Sequence, residues 1–435
     1  MADFNGGAGP DSFVGTITAD VIHGNGGDDT LSGGGGFDQI FGGEGTNTLS
    51  GDSGVDSIQS VGEQDRIDGG AGNDTLHILG WLDDRIDGGD GDDKLTFDAS
   101  FNTGSSAASY FSIERVDGLL TGTSGDDSLD LATLTALGRF TIEGGGGNDR
   151  IVGSIAATTI FGGSGDDVIV MKSSGRLYGD EGNDVLTATS AGDIRGGDGD
   201  DRIDGGDGRN TLLGDAGNDQ LSGGAGNDDL NGGSGDDRLF GGDNNDILRD
   251  IAPINQSSGI DILNGGAGND RIISIGAGDH LYGESGNDTL TITRRLEGVI
   301  DGGEGIDTIE FTFSAFDGSS GSVIFAGIEH VAGAKSLQGT SGDDSLDLST
   351  LGASEALTLI GLDGDDRIVG HAGSNWIEGN KGDDHLDGSL GDDTLAGFEG
   401  VNTLLGGDGN DEIRSTGTGD IIDGGAGDDT VVMGG

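Results

Sequence analysis

Asp11, Asp20, Asp29, Asp38, Asp56, Asp65 and Asp74 stand nine residues apart or a multiple of it, with Asn47 filling the remaining step. From Asp20 onward each is followed two places later by an apolar residue: Ile22, Leu31, Ile40, Leu49, Ile58, Ile67 and Leu76. Glycines lie ahead of them, as in Gly6-Gly7-Ala8-Gly9-Pro10-Asp11. Carboxylates carried on glycine-rich turns, whose carbonyl oxygens can point inward, form the oxygen-only ligand set that Ca²⁺ prefers. Mg²⁺ asks for a stricter octahedron, and Zn²⁺ for Cys or His. The chain has no cysteine and six scattered histidines, so the chemistry on offer is that of a hard divalent cation.

A nine-residue period is the mark of a repeat architecture. Within one unit the glycines at the first, second and fourth places make a tight turn, and the last three places, x-apolar-x, alternate as a short strand does. One unit is therefore a turn plus a strand, and two complete a coil of a flattened solenoid. Turns 18 residues apart then stack on one edge, about 4.8 Å from each other. Asp11 would sit over Asp29, Asp20 over Asp38 and Asp38 over Asp56, and bare carboxylates at that spacing oppose folding. A cation between them removes the opposition.

The same phase returns along the chain at Asp93, Asp127, Asp149, Asp167, Asp184, Asp201, Asp219, Asp228, Asp237, Asp246, Asp261, Asp270, Asp279, Asp288 and Asp307, and then at Asp344, Asp366, Asp384, Asp393, Asp411, Asp420 and Asp429. Unbroken frames run from Gly6 to His77, Gly196 to Arg249 and Gly370 to Arg414. This pattern, GGxGxDxUx with U large and apolar, resembles the RTX or haemolysin-type calcium-binding nonapeptide repeats. The resemblance implies an all-β fold, a parallel β-roll (a right-handed β-solenoid), with Ca²⁺ held between successive turns by paired Asp carboxylates and backbone carbonyls. It also implies secretion by a type I system and folding on meeting extracellular calcium.

Composition leads to the same place independently. A net charge of -60, 31% hydrophobic residues and 96 glycines describe a chain that cannot offset its conformational entropy without counterions. If the repeat-phase aspartates pair two to an ion, roughly 15 to 20 Ca²⁺ would offset about half or more of that charge, and binding and folding become one event. A plain acidic linker would show no phase between Asp and aliphatic residues. The 20 Lys and Arg, dispersed among 80 acids, leave a surface that repels nucleic acid. No apolar run approaches the 18 residues of a membrane span, and Met1-Ala2-Asp3-Phe4-Asn5 lacks the basic and apolar stretches of a cleaved signal.

A longer repeat overlies the short one. Gly51 to Phe97 recurs as Gly265 to Phe311, and Gly122 to Asp167 recurs as Gly339 to Asp384. The expected organisation is a roll block over 1–97, an aromatic connector over 98–121, a second block over 122–311, a second connector over 312–338 and a third block over 339–435. Each connector carries an Ile-Glu-x-Val stretch, Ile113-Glu114-Arg115-Val116 and Ile328-Glu329-His330-Val331. The connectors read either as wider rungs that thicken the core or as contact patches for a partner. Leu131 to Glu143 and Leu348 to Ile360 read as short helical or irregular excursions, and Asp250 to Ser258 as a surface loop.

No catalytic constellation is expected: there is no HExxH, no nucleophile elbow with a plausible histidine, and His23, His77, His280, His330, His371 and His385 fall mostly at outward or variable places. Trp81, at a slip in the register, and Trp376, beside Ile377, read as surface or packing residues. Asn47, Asn210, Asn375 and Asn402 replace the sixth-place Asp, either as weak ligands or as marks of positions without an ion. The repeats begin at Gly6 and persist to about Val432, and Gly36 to Ile78 resembles Gly391 to Met433, so both ends read as uncapped edges that invite head-to-tail stacking of copies. The leading expectation is thus a secreted calcium-folded structural protein whose partner is itself, in a filament, matrix or surface layer. A monomeric adhesin holding a cell-surface polysaccharide, and a polysaccharide-active enzyme, are the rival readings.

Overall fold

The computed structural model describes residues 1–80, 84–101, 109–135, 137–252, 259–275, 278–293, 298–312, 323–333, 335–352 and 355–434. Every regular element among them is a strand, most of three to seven residues, and every pairing is parallel. The x-apolar-x triplets form the strands. Thr30–Ser32, for example, buries Leu31 and turns its neighbours outward, as strand alternation requires. The protein is an all-β parallel β-solenoid, and the described residues contain no helix.

Two compact units are present, Met1–Asp207 and Gly208–Gly435. In the first, Val21–His23 pairs with Gln39–Phe41, which pairs with Ser57–Ser60, which pairs with Thr75–Ile78. The intervening strands, Thr30–Ser32, Thr48–Ser50 and Arg66–Asp68, form the second sheet in the same manner. The register stacks Ile22, Ile40, Ile58 and Leu76 in one column and Leu31, Leu49, Ile67 and Ile86 in another, all at most 1% exposed. In the second unit Thr211–Ala216, Asp229–Ser234, Ile247–Arg249, Arg271–Ser274 and Thr289–Ile292 build one sheet, and Gln220–Ala225, Arg238–Asp243, Ile262–Ala267 and His280–Ser285 the other. One aliphatic side chain per nine residues makes a thin core, so the polar turns carry much of the burden of holding the rungs together.

The connectors are wide rungs of the same ladder. Lys94–Ser100 pairs with Arg115–Thr121, and that strand with Leu137–Gly146. Phe97, Phe101, Ile113 and Val116 are buried, as are Phe311, Phe325, Ile328 and Val331 in the duplicate, so these residues belong to the core. Phe313 and Phe316 of the second connector lie outside the described residues, as does Trp81.

Four expectations need correction. The first excursion is irregular, as one of its two readings had it, but shorter than expected: over 131–135 Leu134 N–H reaches Leu131 O at 3.0 Å in a single turn, and Leu137–Gly146 is a strand. Leu348 to Ile360 repeats this, with Leu351 N–H on Leu348 O at 2.9 Å ahead of Leu357–Asp363. Asp250 does not belong to a surface loop; it is fully buried, while Ile251 beside it is exposed and 253–258 fall outside the described residues. His371 is likewise buried rather than outward, although it occupies a second-glycine place, and its Nδ1 accepts the Gly373 N–H at 2.7 Å. Trp376 lies at the surface as expected, its Nε1 donating to Glu378 at 2.7 Å.

Candidate metal centre

The repeat-phase aspartates face inward. All of those singled out in the sequence are buried except Asp11, Asp420 and Asp429, which are half-buried. Their two oxygens have different surroundings. Oδ1 accepts the backbone N–H of the aspartate one rung earlier: Asp38 N–H donates to Asp56, Asp56 to Asp74, Asp149 to Asp167 and Asp270 to Asp288, at 2.7 to 2.8 Å. This ladder fixes the carboxylates in line and partly answers their mutual repulsion. It also extends to residues that the nine-residue count passes over. Asp84 accepts the Asp65 N–H at 2.8 Å, and Glu114 and Glu329 accept those of Asp93 and Asp307 at 2.8 Å. The signal for Asp84 was present in Asp84-Arg85-Ile86, which keeps the two-residue step from acid to apolar residue after a slip in register.

Oδ2 is the unusual atom. In Asp29, Asp38, Asp56, Asp74, Asp93, Asp149, Asp167, Asp288 and several others it is buried and accepts no hydrogen bond from the protein. A buried anionic oxygen without a donor is costly, and its repetition at one place in every regular turn is a property of the design rather than a local flaw. Burial pushes the Asp56, Asp93, Asp149 and Asp288 carboxyls up to about 6, and those of Asp167, Asp246, Asp384 and Asp393 up to about 7. Neighbouring carboxylates push the same way, against the N–H bond to Oδ1.

What surrounds Oδ2 follows from the glycines. A Cβ on Gly24 would come within 2.2 Å of Asp29 Oδ2 and 2.3 Å of Gly42 O on the next rung; on Gly283 it would meet Asp288 Oδ2 and Gly302 O, both at 2.3 Å. The first place is thus glycine because a carboxylate oxygen and a carbonyl from the adjoining turn share that space. The second place takes a left-handed φ, 98° at Gly70 and 72°, 65° and 77° at Asn25, Asp52 and Asp180, a conformation that glycine, Asn and Asp tolerate best.

Asn375 reveals where these acceptors converge. Its Nδ2, in the place of an aspartate Oδ2, donates to His371 O at 3.0 Å, Gly373 O at 2.6 Å, Gly388 O at 3.3 Å and Asp393 Oδ1 at 3.0 Å. Carbonyls from the second and fourth places, a first-place carbonyl from the next rung and the next carboxylate therefore point at one spot. With an aspartate at the sixth place the spot is lined by oxygen alone. Such a set of hard oxygens on flexible turns fits Ca²⁺. One irregular cluster adds to it: Asp237, Asp250 and Asp261, all buried, bring carboxylate oxygens within 4.8 Å of one another. Burial pushes the Asp261 carboxyl up to about 10, helped by the charge of Asp250.

A family model, the RTX calcium-binding nonapeptide repeat, matches residues 5–40, 23–58, 41–76, 81–103, 141–169, 176–194, 189–221, 213–248, 256–290, 360–395 and 396–431. The chain belongs to the RTX calcium-binding nonapeptide repeat family. No curated protein matches it. Among solved structures, this RTX chain is similar to the crystal structure of a hyperactive, Ca²⁺-dependent, beta-helical antifreeze protein from an Antarctic bacterium. Identity is 18% over 72% of this chain and 84% of the other, with a TM-score of 0.18. A superposition at that score supports no functional reading. The RTX repeats make this a calcium-binding structural protein. Among the described residues no helix is long and apolar enough to cross a membrane.

Proposed function

We propose that this protein is a secreted scaffold whose repeat-phase aspartates bind Ca²⁺ and so turn folding into a response to extracellular calcium. The observation that carries the reading is the recurring buried Oδ2, as in Asp56 and Asp288, next to inward carbonyls and a first-place glycine that leaves no room for a side chain. Bound Ca²⁺ supplies the positive charge that offsets these carboxylates. The chain's own part is to hold Oδ1 on the N–H of the preceding rung, leaving Oδ2 turned inward. With a net charge of -60, the same turns without cations repel along each edge, which favours the unfolded chain. Export through a type I system is part of this reading, as is an ion count on the order of 15 to 20 at two carboxylates per ion.

We further propose that copies associate rung to rung. Every regular rung uses the same parallel register and the same aspartate ladder, as in Thr403–Asp408 on Ile421–Ala426 and Val21–His23 on Gln39–Phe41. A rung from another copy can make the same bonds, and such heterologous contacts generate open filaments. The test is to strip calcium with chelator, restore it to millimolar level, and follow circular dichroism alongside negative-stain electron microscopy. β-Structure and long filaments appearing together support both proposals. Folded single rods sink the assembly reading and favour an adhesin or matrix role, and a spectrum indifferent to calcium sinks the metal reading.

A further inference from the structure

The inward spot is closed by the protein itself in certain units, in three chemically distinct ways. In the first, an amide replaces the carboxylate: besides Asn375, Asn210 Nδ2 donates to Gly208 O at 2.8 Å and Gly223 O at 3.2 Å, and Asn47 Nδ2 to Gly43 O and Gly45 O, both at 3.3 Å. In the second, serine replaces the first-place glycine and its hydroxyl donates to the Oδ2 that other units leave without a donor. Ser60 does so to Asp65 and Ser274 to Asp279, each at 2.5 Å, and Ser415 does so to Asp420.

The third way begins with backbone preference. Thr16, Thr123 and Thr340 occupy the second place, where most regular units, such as those of Gly70 and Gly145, have a left-handed φ, and none of the three adopts it. A β-branched residue resists that region. The peptide N–H then faces inward and, with the threonine hydroxyl, donates to Oδ2 of the unit's own aspartate. For Thr123 the N–H and Oγ1 lie 2.5 and 3.0 Å from Asp127 Oδ2; for Thr340 they lie 2.6 and 3.1 Å from Asp344 Oδ2. Thr16 treats Asp20 alike, at 2.5 and 2.8 Å.

All three devices put a hydrogen-bond donor where the regular units offer only oxygen acceptors. An N–H or O–H aimed at that spot satisfies the acceptors and opposes a cation electrostatically. We propose that the units carrying Asn47, Asn210, Asn375, the three serines and the three threonines take no calcium, so that metal-free rungs are interspersed among loaded ones. Of the four asparagine units Asn402 stands apart: its Nδ2 is buried and donates to no acceptor, so the proposal does not extend to it.

This rests on the calcium reading, and the test separates the two. The full chain, refolded in calcium and desalted, is weighed by native mass spectrometry to count bound ions, beside Asn375→Asp, Ser274→Gly and Thr123→Gly, with circular dichroism confirming that each is folded. The expected result is one additional ion in each variant. A wild-type chain that binds no calcium overturns the calcium reading itself. A wild-type chain that binds calcium while its folded variants add no ion overturns this inference alone; three independent substitutions keep it testable should one fail to fold.

Discussion

Glu114 Oε2 accepts the backbone N–H of Asp93 at 2.8 Å across a rung of 21 residues, the bond that Asp74 makes to Asp56 across a rung of 18. The strand register is the ordinary one, Leu95 lying opposite Val116 as Leu76 lies opposite Leu95, so Glu114 takes the place that an aspartate holds in the other rungs. Glu329 does the same for Asp307 in the duplicated connector. In the Ile-Glu-x-Val stretch Ile113 and Val116 go into the core, and the glutamate between them accepts the last bond of the ladder, its own N–H turning to the Asp93 carbonyl at 3.2 Å.

Removing that acceptor should cost stability without touching the core. Glu114→Ala leaves the Asp93 N–H without its partner, and because Glu114 is exposed and water can reach the place, we expect a loss of about 0.5 to 1.5 kcal/mol, the usual net worth of a hydrogen bond. Glu114→Gln retains an acceptor of the same length and should fall near the native value. Urea unfolding in saturating calcium measures both, and equal losses for Ala and Gln would mean that charge rather than the ladder bond matters.

Glycine at the first place should be irreplaceable for a steric reason, not a conformational one. Gly283 does not need a left-handed φ, yet a Cβ there meets Asp288 Oδ2 and Gly302 O at 2.3 Å. Gly283→Ala should therefore lose one bound ion and lower the thermal midpoint, whereas Gly9→Ala, whose Cβ would meet nothing within 4 Å, should leave both unchanged. Ion counting together with a melting curve in calcium checks the pair.

Acid should partly replace calcium. In the metal-free fold, burial raises the carboxyls of Asp56, Asp93 and Asp149 to about 6 and those of Asp167 and Asp384 to about 7, from the usual 3.8. The folded chain then binds more protons than the unfolded one, so stability falls as pH rises. The favourable contribution is complete below about pH 4 and gone above about pH 7. In chelator, β-structure should therefore increase as pH drops through that window, while in millimolar calcium the same acidification should weaken binding as protons compete for Oδ2. Circular dichroism at low protein concentration, clear of precipitation near the isoelectric point of 4.1, follows both arms. Loss of structure on acidification in chelator would refute the argument.

The period of nine, the two-unit coil and the inward aspartates were all legible because each regular unit repeats one rule: glycine where oxygens converge, Asp at the sixth place, an aliphatic residue two further on. What was not legible depends on distances between rungs. Asp84 and Glu114 keep the two-residue step to Ile86 and Val116, but the nine-residue count passes over them, because their partners lie 19 and 21 residues away rather than 18. Asp250 escaped for the same reason. It stands where a first-place glycine would be, but its counterpart Asp261 follows an insertion that lengthens the rung to 24 residues. The assignment of Oδ1 to the ladder and Oδ2 to the inward spot is likewise a matter of side-chain orientation that residue types do not encode.

Asp250 supports a test with opposite signs. Three buried carboxylates, Asp237, Asp250 and Asp261, lie within 4.8 Å of one another, and burial together with the charge of Asp250 pushes Asp261 up to about 10. Like charges that close, in a site shielded from water, oppose the metal-free fold and attract a cation. Asp250→Asn removes one charge with little change of shape. In chelator at neutral pH it should increase residual β-structure, because the remaining pair repels less. In limiting calcium it should raise the concentration needed for half-maximal folding, because the site has lost a carboxylate that favours the ion. A calcium titration by circular dichroism starting from the chelated protein reads both effects in one curve. Parallel shifts, with the variant either better or worse under both conditions, would show that Asp250 acts through packing rather than through its charge.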